Sequence, residues 1–143
     1  MRLDDFLPYR LARLSEAVSN EIRTVYKDMY GLNRPEWRVL AALAEIGPAT
    51  ATQLGTHSAQ HKTKVSRAVF ALETRRWLTR RADAKDRRAE LLELTKAGRE
   101  AYAALSAPLL TKETEILARL PEPERAQFLA ALRACEQALR LTP

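Results

Sequence analysis

An apolar stripe at helical spacing dominates the first thirty residues of this chain. Its members recur at intervals of four, three, four, four, three and four residues, and they are Leu7, Leu11, Leu14, Val18, Ile22, Val25 and Met29. This spacing predicts one long amphipathic helix that ends near Gly31, a natural C-cap. A single stripe on a helix of about 25 residues usually packs on something equally long, often a partner subunit.

The middle of the chain alternates short helical segments with helix breakers. Pro35 fits the first turn of a second helix, and Gly47 ends that helix. A short helix over about 50–56 follows, then a turn, and then a third segment over about 61–76. A short helix, a tight turn and a longer helix form the pattern of a helix-turn-helix.

Two short strand candidates come after the third segment, around the charged tip ADAKDR. They predict a β-hairpin, although Ala and Glu are weak strand formers. From Thr95, an N-cap residue type, the helical pattern returns. A last helix carries an apolar stripe made of Phe128, Leu132, Cys135 and Leu139. We interpret Cys135 as a buried small hydrophobic residue of this stripe.

The excess positive charge lies in a single window. Residues 54–88 hold ten Lys and Arg against three acids, a local net charge of +7, whereas the rest of the chain has a net charge of −1. Such a concentration is the electrostatic footprint of a surface that binds a polyanion. A solvated surface that happens to be basic has the same composition, so charge alone leaves both interpretations open.

The polar face of the third segment carries residue types that suit DNA. These are Lys62, Thr63, Lys64, Ser66 and Arg67. Hydroxyl groups contact bases or phosphates, arginine pairs with guanine, and lysine contacts phosphates. The apolar Val65 and Val69 lie on the opposite side, which predicts a recognition helix for the major groove. Phe70 lies on the polar face, where it either touches a thymine methyl or packs on another element.

The hairpin tip is the second candidate contact with DNA. It carries Lys85, Arg87 and Arg88 together with Asp83 and Asp86. A basic loop beside a recognition helix can enter the neighbouring minor groove, where arginine is favoured. Since Asp86 would not help to bind phosphates, we expect it to pair with an arginine side chain or to hold the loop in shape.

Other classes of function lack their motifs. The sequence has no Gly-rich phosphate loop, no HExxH metal motif and no GxSxG elbow, so we expect neither an enzyme nor a cofactor. His57 and His61 straddle a turn and have no third ligand nearby, so we expect no metal site. A winged helix that binds RNA or a protein partner is the alternative, but the strands carry no aromatic platform apart from Trp77.

The chain is also expected to be cytoplasmic. No apolar run approaches the roughly 18 to 20 residues that span a bilayer. The N-terminus carries Asp4 and Asp5 and does not resemble a signal peptide. A single cysteine cannot form an internal disulfide, which suits a reducing cytosol.

Four stretches, RPEWRVLAAL, TQL, HKTKVSRAVFALE and DRRAELLELTKAG, resemble the winged-helix core of the MarR family (multiple antibiotic resistance regulators). The element D-R-R-x-x-x-L-x-L-T-x-x-G falls on Asp86, Arg87, Arg88, Leu92, Leu94, Thr95 and Gly98. The resemblance covers 34–98 by motif and the whole chain by its helix layout. One departure is Arg76, which stands where the family usually has a glycine, so the cap of the recognition helix must be made differently.

The resemblance implies a mostly α, winged helix-turn-helix fold: a three-helix core plus a β-hairpin wing, with N- and C-terminal dimerisation helices. Residues 1–143 would form one unit, with a DNA-binding core over 33–98 and dimerisation helices over 4–31 and 99–141. The family pattern implies a homodimer on a pseudo-palindromic operator in double-stranded DNA, with repression as the default and a small lipophilic or phenolic effector. The implied dimer contacts are Leu7, Leu11, Leu14, Phe128, Leu132, Cys135 and Leu139.

It also implies roles for individual DNA-binding residues. Thr63, Lys64, Ser66 and Arg67 would face the major groove. Arg87 and Arg88 would act at the wing, with Asp86 steadying it.

Overall fold

The computed structural model describes residues 2–86 and 88–141, so Arg87, Met1 and the last two residues lie outside that description. The elements in chain order are α1 (Leu7–Tyr30), α2 (Arg34–Ile46), α3 (Ala51–His57), α4 (Lys62–Thr74), β1 (Leu78–Ala82), β2 (Glu90–Leu94), α5 (Lys96–Leu117) and α6 (Glu124–Ala138). The predicted fold class, mostly α with a helix-turn-helix and a β-hairpin, is confirmed. Among these helices there is none with both the length and the apolar character that a membrane span requires.

The starts of α2 and α3 are set by two reciprocal capping boxes. The Asn33 side chain accepts a hydrogen bond from the Glu36 amide at 2.9 Å, and the Glu36 carboxylate accepts one from the Asn33 amide at 3.1 Å. Thr50 and Gln53 repeat this exchange at 3.2 and 2.8 Å. Each box satisfies two amide groups that a helix start otherwise leaves without a partner. The two helices therefore begin where the sequence predicts them.

The core lies beneath α4 and determines which side of that helix faces outwards. Val65, Ala68, Val69 and Leu72 of α4 are each at most 2% exposed. They pack in one cluster with buried residues from α1, α2, α3, both strands and α5, including Tyr26, Val39, Leu40, Leu54, Leu78, Leu92 and Leu105. Burial of this apolar stripe leaves the polar face of α4 on the surface.

The hairpin forms although its sequence has a weak propensity for strands. β1 and β2 pair antiparallel, with Leu78 opposite Leu94, and both side chains are buried together with Leu92. Ala49, in the connection between α2 and α3, makes a two-way backbone bridge to β2. Its amide donates to the Leu92 carbonyl at 3.0 Å, and the Leu92 amide donates back at 2.8 Å. Burial and this bridge outweigh intrinsic propensity.

The end of α4 corrects one expectation from the sequence. Arg76 adopts the left-handed conformation itself, with φ of 60°. Its amide donates to the Glu73 carbonyl at 2.8 Å, and the Trp77 amide donates to the Leu72 carbonyl at 2.9 Å. These two bonds are a Schellman C-cap, the motif in which glycine is usual. The cap is therefore the usual one, because Arg76 adopts the backbone conformation that glycine normally supplies. The Arg76 carbonyl accepts a hydrogen bond from the Thr95 hydroxyl at 2.8 Å, which holds this residue in place.

Arg76→Gly is expected to stabilise the fold by about 1 kcal/mol, because a left-handed conformation costs an L-residue about that much and glycine adopts it freely. Urea denaturation followed by circular dichroism measures the change. Arg76→Ala is the control, since it removes the charge but keeps the Cβ atom. Equal stabilities of the two variants would contradict the attribution to backbone strain.

The two ends of the chain differ in how they pack. The C-terminal half of α1 joins the core, and Arg119, which follows the end of α5, pairs with Glu21 of α1, with the Nη2 and Oε2 atoms 2.6 Å apart. In contrast, α6 makes few contacts with the other described elements and has no buried residue. Cys135, predicted to be buried, is therefore exposed, because no described part of this chain covers that face of α6.

Candidate nucleic-acid interface

The first two turns of α4 present a continuous polar surface. All five polar residues singled out from the sequence are exposed, namely Lys62, Thr63, Lys64, Ser66 and Arg67. The division of α4 into a buried apolar side and an exposed polar side agrees with the two faces predicted from the sequence. Hydroxyl, guanidinium and ammonium groups are thereby available together at one end of one helix.

The N-terminus of α4 also differs from those of α2 and α3. Its N-cap residue is His61, whose side chain accepts no hydrogen bond from the helix backbone. The turn before it is held by Gln60, whose amide donates to the Gly55 carbonyl at 2.9 Å and whose side chain donates to the Ser58 hydroxyl at 3.1 Å. Among the described residues no side chain caps the first amide groups of α4, so these groups remain available to an anion.

The tip of the hairpin is shaped by its two acidic side chains. Oδ1 of Asp83 accepts a hydrogen bond from the Lys85 amide at 2.9 Å, and Oδ1 of Asp86 accepts one from the Arg88 amide at 3.0 Å. The side chains of Lys85 and Arg88 are exposed, and Arg87 lies outside the described residues. Asp86 therefore contacts the backbone of the loop, the second of the two roles expected from the sequence.

Two arginines of β1 are engaged in ion pairs. Arg80 contacts Glu73 at 3.1 Å and Glu90 at 3.0 Å, and Arg81 contacts Glu93 at 3.2 Å. The hydrogen bonds that Arg80 donates to Glu90 and to Glu73 raise the pKa of Arg80 above its usual value. Glu90 and Glu93 lie beyond the basic window, and extending the window to Glu93 lowers its net charge from +7 to +5. Part of the excess positive charge counted in the sequence is thus neutralised by ion pairs within the hairpin.

Arg75 is another cation of the window that the fold uses. Its Nη1 donates to the Tyr30 carbonyl at 2.8 Å, and its guanidinium lies 5.3 Å from the centre of the Trp77 ring. Tyr30 and Trp77 themselves meet edge to face at 5.1 Å. Arg75 therefore joins the C-terminal ends of α1 and α4, a role that sequence reasoning missed, because the partner carbonyl is 45 residues away.

The remaining cations of the window stay available. None of the ion pairs among residues 2–86 and 88–141 involves Lys62, Lys64, Arg67, Lys85 or Arg88. These five belong to the N-terminal half of α4 and to the hairpin tip. Besides Arg75, Arg76 at the end of α4 is the other described cation of the window outside these ion pairs, so most of the charge that the fold leaves for a ligand lies on the two features that the sequence singled out.

A cleft of about 310 Å³ opens between α2, β2 and α5. Its wall includes Leu43, Leu94, Arg99 and Tyr102. Tyr102 stacks on Trp37, with ring centres 5.9 Å apart, and Trp37 stacks in turn on the buried Tyr26 at 5.8 Å. The aromatic residues Tyr26 and Trp37 are thus part of the packed interior, with Tyr102 at the edge of the cleft.

The histidines do not assemble a metal site. His57 Nε2 lies 2.9 Å from a carboxylate oxygen of Glu45. In the described part of the chain, no three His, Cys, Asp or Glu residues are grouped so that they could hold a metal ion.

Comparison with known proteins points to one family. A model of the MarR family matches residues 30–89. The uncharacterised HTH-type transcriptional regulator YwoH of Bacillus subtilis is 30% identical over 117 residues, which cover 82% of this chain and 82% of YwoH. The region matched by the family model includes α4 and the whole loop between β1 and β2.

Solved structures give the same result. The crystal structure of a MarR family transcriptional regulator from Silicibacter pomeroyi has a TM-score of 0.81 and 31% identity, covering 97% of this chain and 98% of that one. BpsR of Bordetella bronchiseptica, whose DNA binding is regulated by 6-hydroxynicotinic acid, has a TM-score of 0.80 and 20% identity over 95% of this chain and 96% of its own. At that identity BpsR supports the fold alone.

Proposed function

Since this chain belongs to the MarR family of transcriptional regulators, we propose that it is a cytoplasmic repressor, and not an enzyme, that binds a pseudo-palindromic operator in double-stranded DNA as a homodimer. The observation that carries this proposal is the placement of the available cations. Five of them, Lys62, Lys64, Arg67, Lys85 and Arg88, lie at the start of α4 and at the hairpin tip. A major-groove helix and an adjacent minor-groove loop need positive charge at those two places.

The recognition helix in this proposal is α4, entering the major groove with its N-terminal half. Thr63, Ser66 and Arg67 read base edges, and Arg67 pairs with guanine through its two-pronged guanidinium. Lys62 and Lys64 contact phosphates on either side of the groove. The uncapped amide groups at the start of α4 support this orientation, because they favour a phosphate at that end.

The wing is the loop between β1 and β2. Lys85, Arg87 and Arg88 supply its positive charge, and Asp86 keeps the loop in shape through the Arg88 amide. The Ala49–Leu92 bridge supports a joint approach of wing and helix, because it ties the hairpin to the helix-turn-helix by backbone hydrogen bonds.

The dimer would form through the two ends of the chain, 4–31 and 99–141, leaving 33–98 as the DNA-binding core. Exposed apolar surface at both ends of the chain supports this dimer. On the N-terminal half of α1, the side chains of Leu7, Leu11 and Leu14 are 63%, 50% and 46% exposed. On α6 and at its C-cap, the exposed residues of the stripe are Phe128, Leu132, Cys135 and Leu139. Exposed apolar surface of this extent marks a protein contact.

A small lipophilic or phenolic effector would relieve repression. The cleft between α2, β2 and α5 suits such a molecule, because its volume lies at the lower end of ligand sites and it combines apolar walls with Arg99. BpsR, which has the same fold, gives an example of such regulation, since 6-hydroxynicotinic acid, an aromatic acid, regulates its DNA binding.

A titration of duplex DNA from upstream of the protein's own gene, at several salt concentrations, tests the function. We expect affinity at least about a thousandfold above that for random duplex, with a steep loss as salt rises. Equal affinity for random DNA, or a preference for RNA of the same sequence, would overturn the proposal in favour of a different winged-helix role.

Arg67→Ala and Arg88→Ala are expected to weaken binding in different ways. Loss of Arg67 removes a base contact, so affinity for the operator should fall about 10- to 100-fold while affinity for random DNA changes little. Loss of Arg88 should weaken binding to both DNAs and reduce the slope of log affinity against log salt by about 1. Titrations of both variants on operator and random duplexes measure the two patterns.

Arg133→Ala on α6 is the control for the loss of one positive charge, because Arg133 is exposed and lies on neither DNA-binding feature. If Arg88→Ala bound both duplexes as the wild type does, the wing assignment would be wrong. If Arg67→Ala weakened binding to every sequence equally, that residue would be a phosphate contact.

A further inference from the structure

Phe70 is an unusual side chain on α4. It is 69% exposed, more than any other large hydrophobic residue in the described part of the chain. The other large apolar residues of α4, Val65, Val69 and Leu72, are at most 2% exposed. No described element of this chain packs over the Phe70 ring, so it has no role in the monomer core.

Its position connects Phe70 with the proposed DNA-reading residues. It follows Ser66 by four residues and Arg67 by three, so it lies one helical turn further along the same exposed face. The step from Arg67 to Phe70 is about 4.5 Å along the helix axis. Arg67 and Phe70 both lie inside α4, and the Phe70 carbonyl accepts a hydrogen bond from the Thr74 hydroxyl at 2.8 Å.

The chemistry of the ring restricts what it can contact in a major groove. Phenylalanine has no hydrogen-bonding group, and covering a phosphate with the ring would remove water from a charge without replacing it. The apolar group on base edges in the major groove is the C5 methyl of thymine. The Phe70 ring is exposed in the free protein. Covering it with this methyl group in the complex would bury apolar surface and so increase the affinity for DNA.

We infer that Phe70 is a specificity-determining residue that contacts the C5 methyl group of a thymine. The spacing from Arg67 corresponds to about one to two base pairs at about 3.4 Å each, so the thymine lies within about two base pairs of the one that Arg67 reads. The inference rests on the proposed function of α4 as the recognition helix. The contact adds to each half-site of the operator one thymine that Phe70 selects.

Replacing the operator thymines one at a time with deoxyuridine tests the inference, because deoxyuridine lacks only the methyl group. For the wild type we expect about a 4-fold loss of affinity at one thymine per half-site, and about 15-fold when both half-sites are substituted. The Phe70→Ala variant should bind more weakly than the wild type and should lose nothing further at that thymine.

Two further variants distinguish a contact with the thymine methyl group from a general change in DNA affinity. Phe70→Leu keeps an apolar side chain and should retain part of the response to deoxyuridine. Thr74→Ala, one turn further along the same face, should respond like the wild type. A wild type insensitive to every deoxyuridine, or a Phe70→Ala variant as sensitive as the wild type, would overturn the inference. Failure of the wild type to prefer its operator would overturn the proposed function as well.

Discussion

Gly98→Ala is expected to destabilise the protein by at least about 3 kcal/mol, enough to prevent a stable fold at 37 °C. A Cβ atom at Gly98 would lie 2.1 Å from the Trp77 carbonyl oxygen and 3.0 Å from its carbonyl carbon. These are backbone atoms, so no side-chain rotation can relieve the clash. The chain must separate where α5 passes the start of the hairpin.

The hydrogen bonds around Gly98 prevent an easy shift. The Trp77 carbonyl already accepts from the Thr95 amide at 2.9 Å, and the Thr95 hydroxyl accepts from the Gly98 amide at 3.1 Å. The same hydroxyl donates to the Arg76 carbonyl at 2.8 Å. Moving α5 away from Trp77 would break bonds that cap both α4 and α5, so the cost exceeds that of one added methyl group.

Urea denaturation of the Gly98→Ala variant measures this effect. Ala97→Gly is the matched control, because it changes one methyl group at the neighbouring, exposed position of the same helix. The control should cost only about 0.5–1 kcal/mol through helix propensity. A Gly98→Ala variant as stable as the control would show that the chain tolerates a side chain between α5 and Trp77.

Leu132→Glu is expected to convert the protein into a monomer and to lower its affinity for the operator about a hundredfold or more. Leu132 is 42% exposed on the apolar stripe of α6, which no described part of its own chain covers. A carboxylate there would be buried without a partner in the proposed dimer, at a large cost in free energy. A monomer binds one half-site at a time and loses the gain from linking two.

Sedimentation velocity measures the oligomeric state of Leu132→Glu, and titration with operator duplex measures its affinity. Gln137→Glu is the matched control: it adds the same charge on the opposite side of α6 and should remain dimeric. The helical content of both variants should match the wild type, because α6 adds no buried residue to the core. A Leu132→Glu variant of wild-type size would remove this stripe from the interface.

Much of the fold could be predicted because it depends on local patterns. The apolar spacing of α1, the polar and apolar sides of α4 and the capping residues at Asn33 and Thr50 are all short-range features. The hairpin was harder to predict, because its strands owe their existence to buried Leu78 and Leu92 and to the bridge from Ala49. These are long-range contacts, which a propensity scale does not contain.

The errors have the same physical origin. Arg76 was expected to change the helix cap, but Thr95 and the following turn hold it in the left-handed conformation. The place of Cys135 on an apolar stripe predicts that it is buried, but it is exposed in this chain. An apolar stripe shows that one face of a helix packs against something, and it does not show which segment or subunit covers that face.

The candidate site could be located from the sequence more easily than its charge could be estimated. The exposed polar face of α4 consists of the residues that the sequence predicted, since helical periodicity alone determines which residues share a face. The count of +7 was too high for the binding surface, because Arg80 and Arg81 pair with acids that lie further along the chain. Arg75 is also used by the fold, through a carbonyl of α1.

The backbone bridge between Ala49 and Leu92 has a consequence for the shape of duplex that this protein accepts. Its two hydrogen bonds, of 3.0 and 2.8 Å, set the offset between helix and hairpin before any ligand arrives. In the proposed complex that offset must match the separation of adjacent grooves in B-form DNA. A-form duplexes have a deep, narrow major groove and a wide, shallow minor groove, so they cannot receive both parts at once. Discrimination between the two helical forms would then come from backbone geometry, independently of any side chain that reads a base.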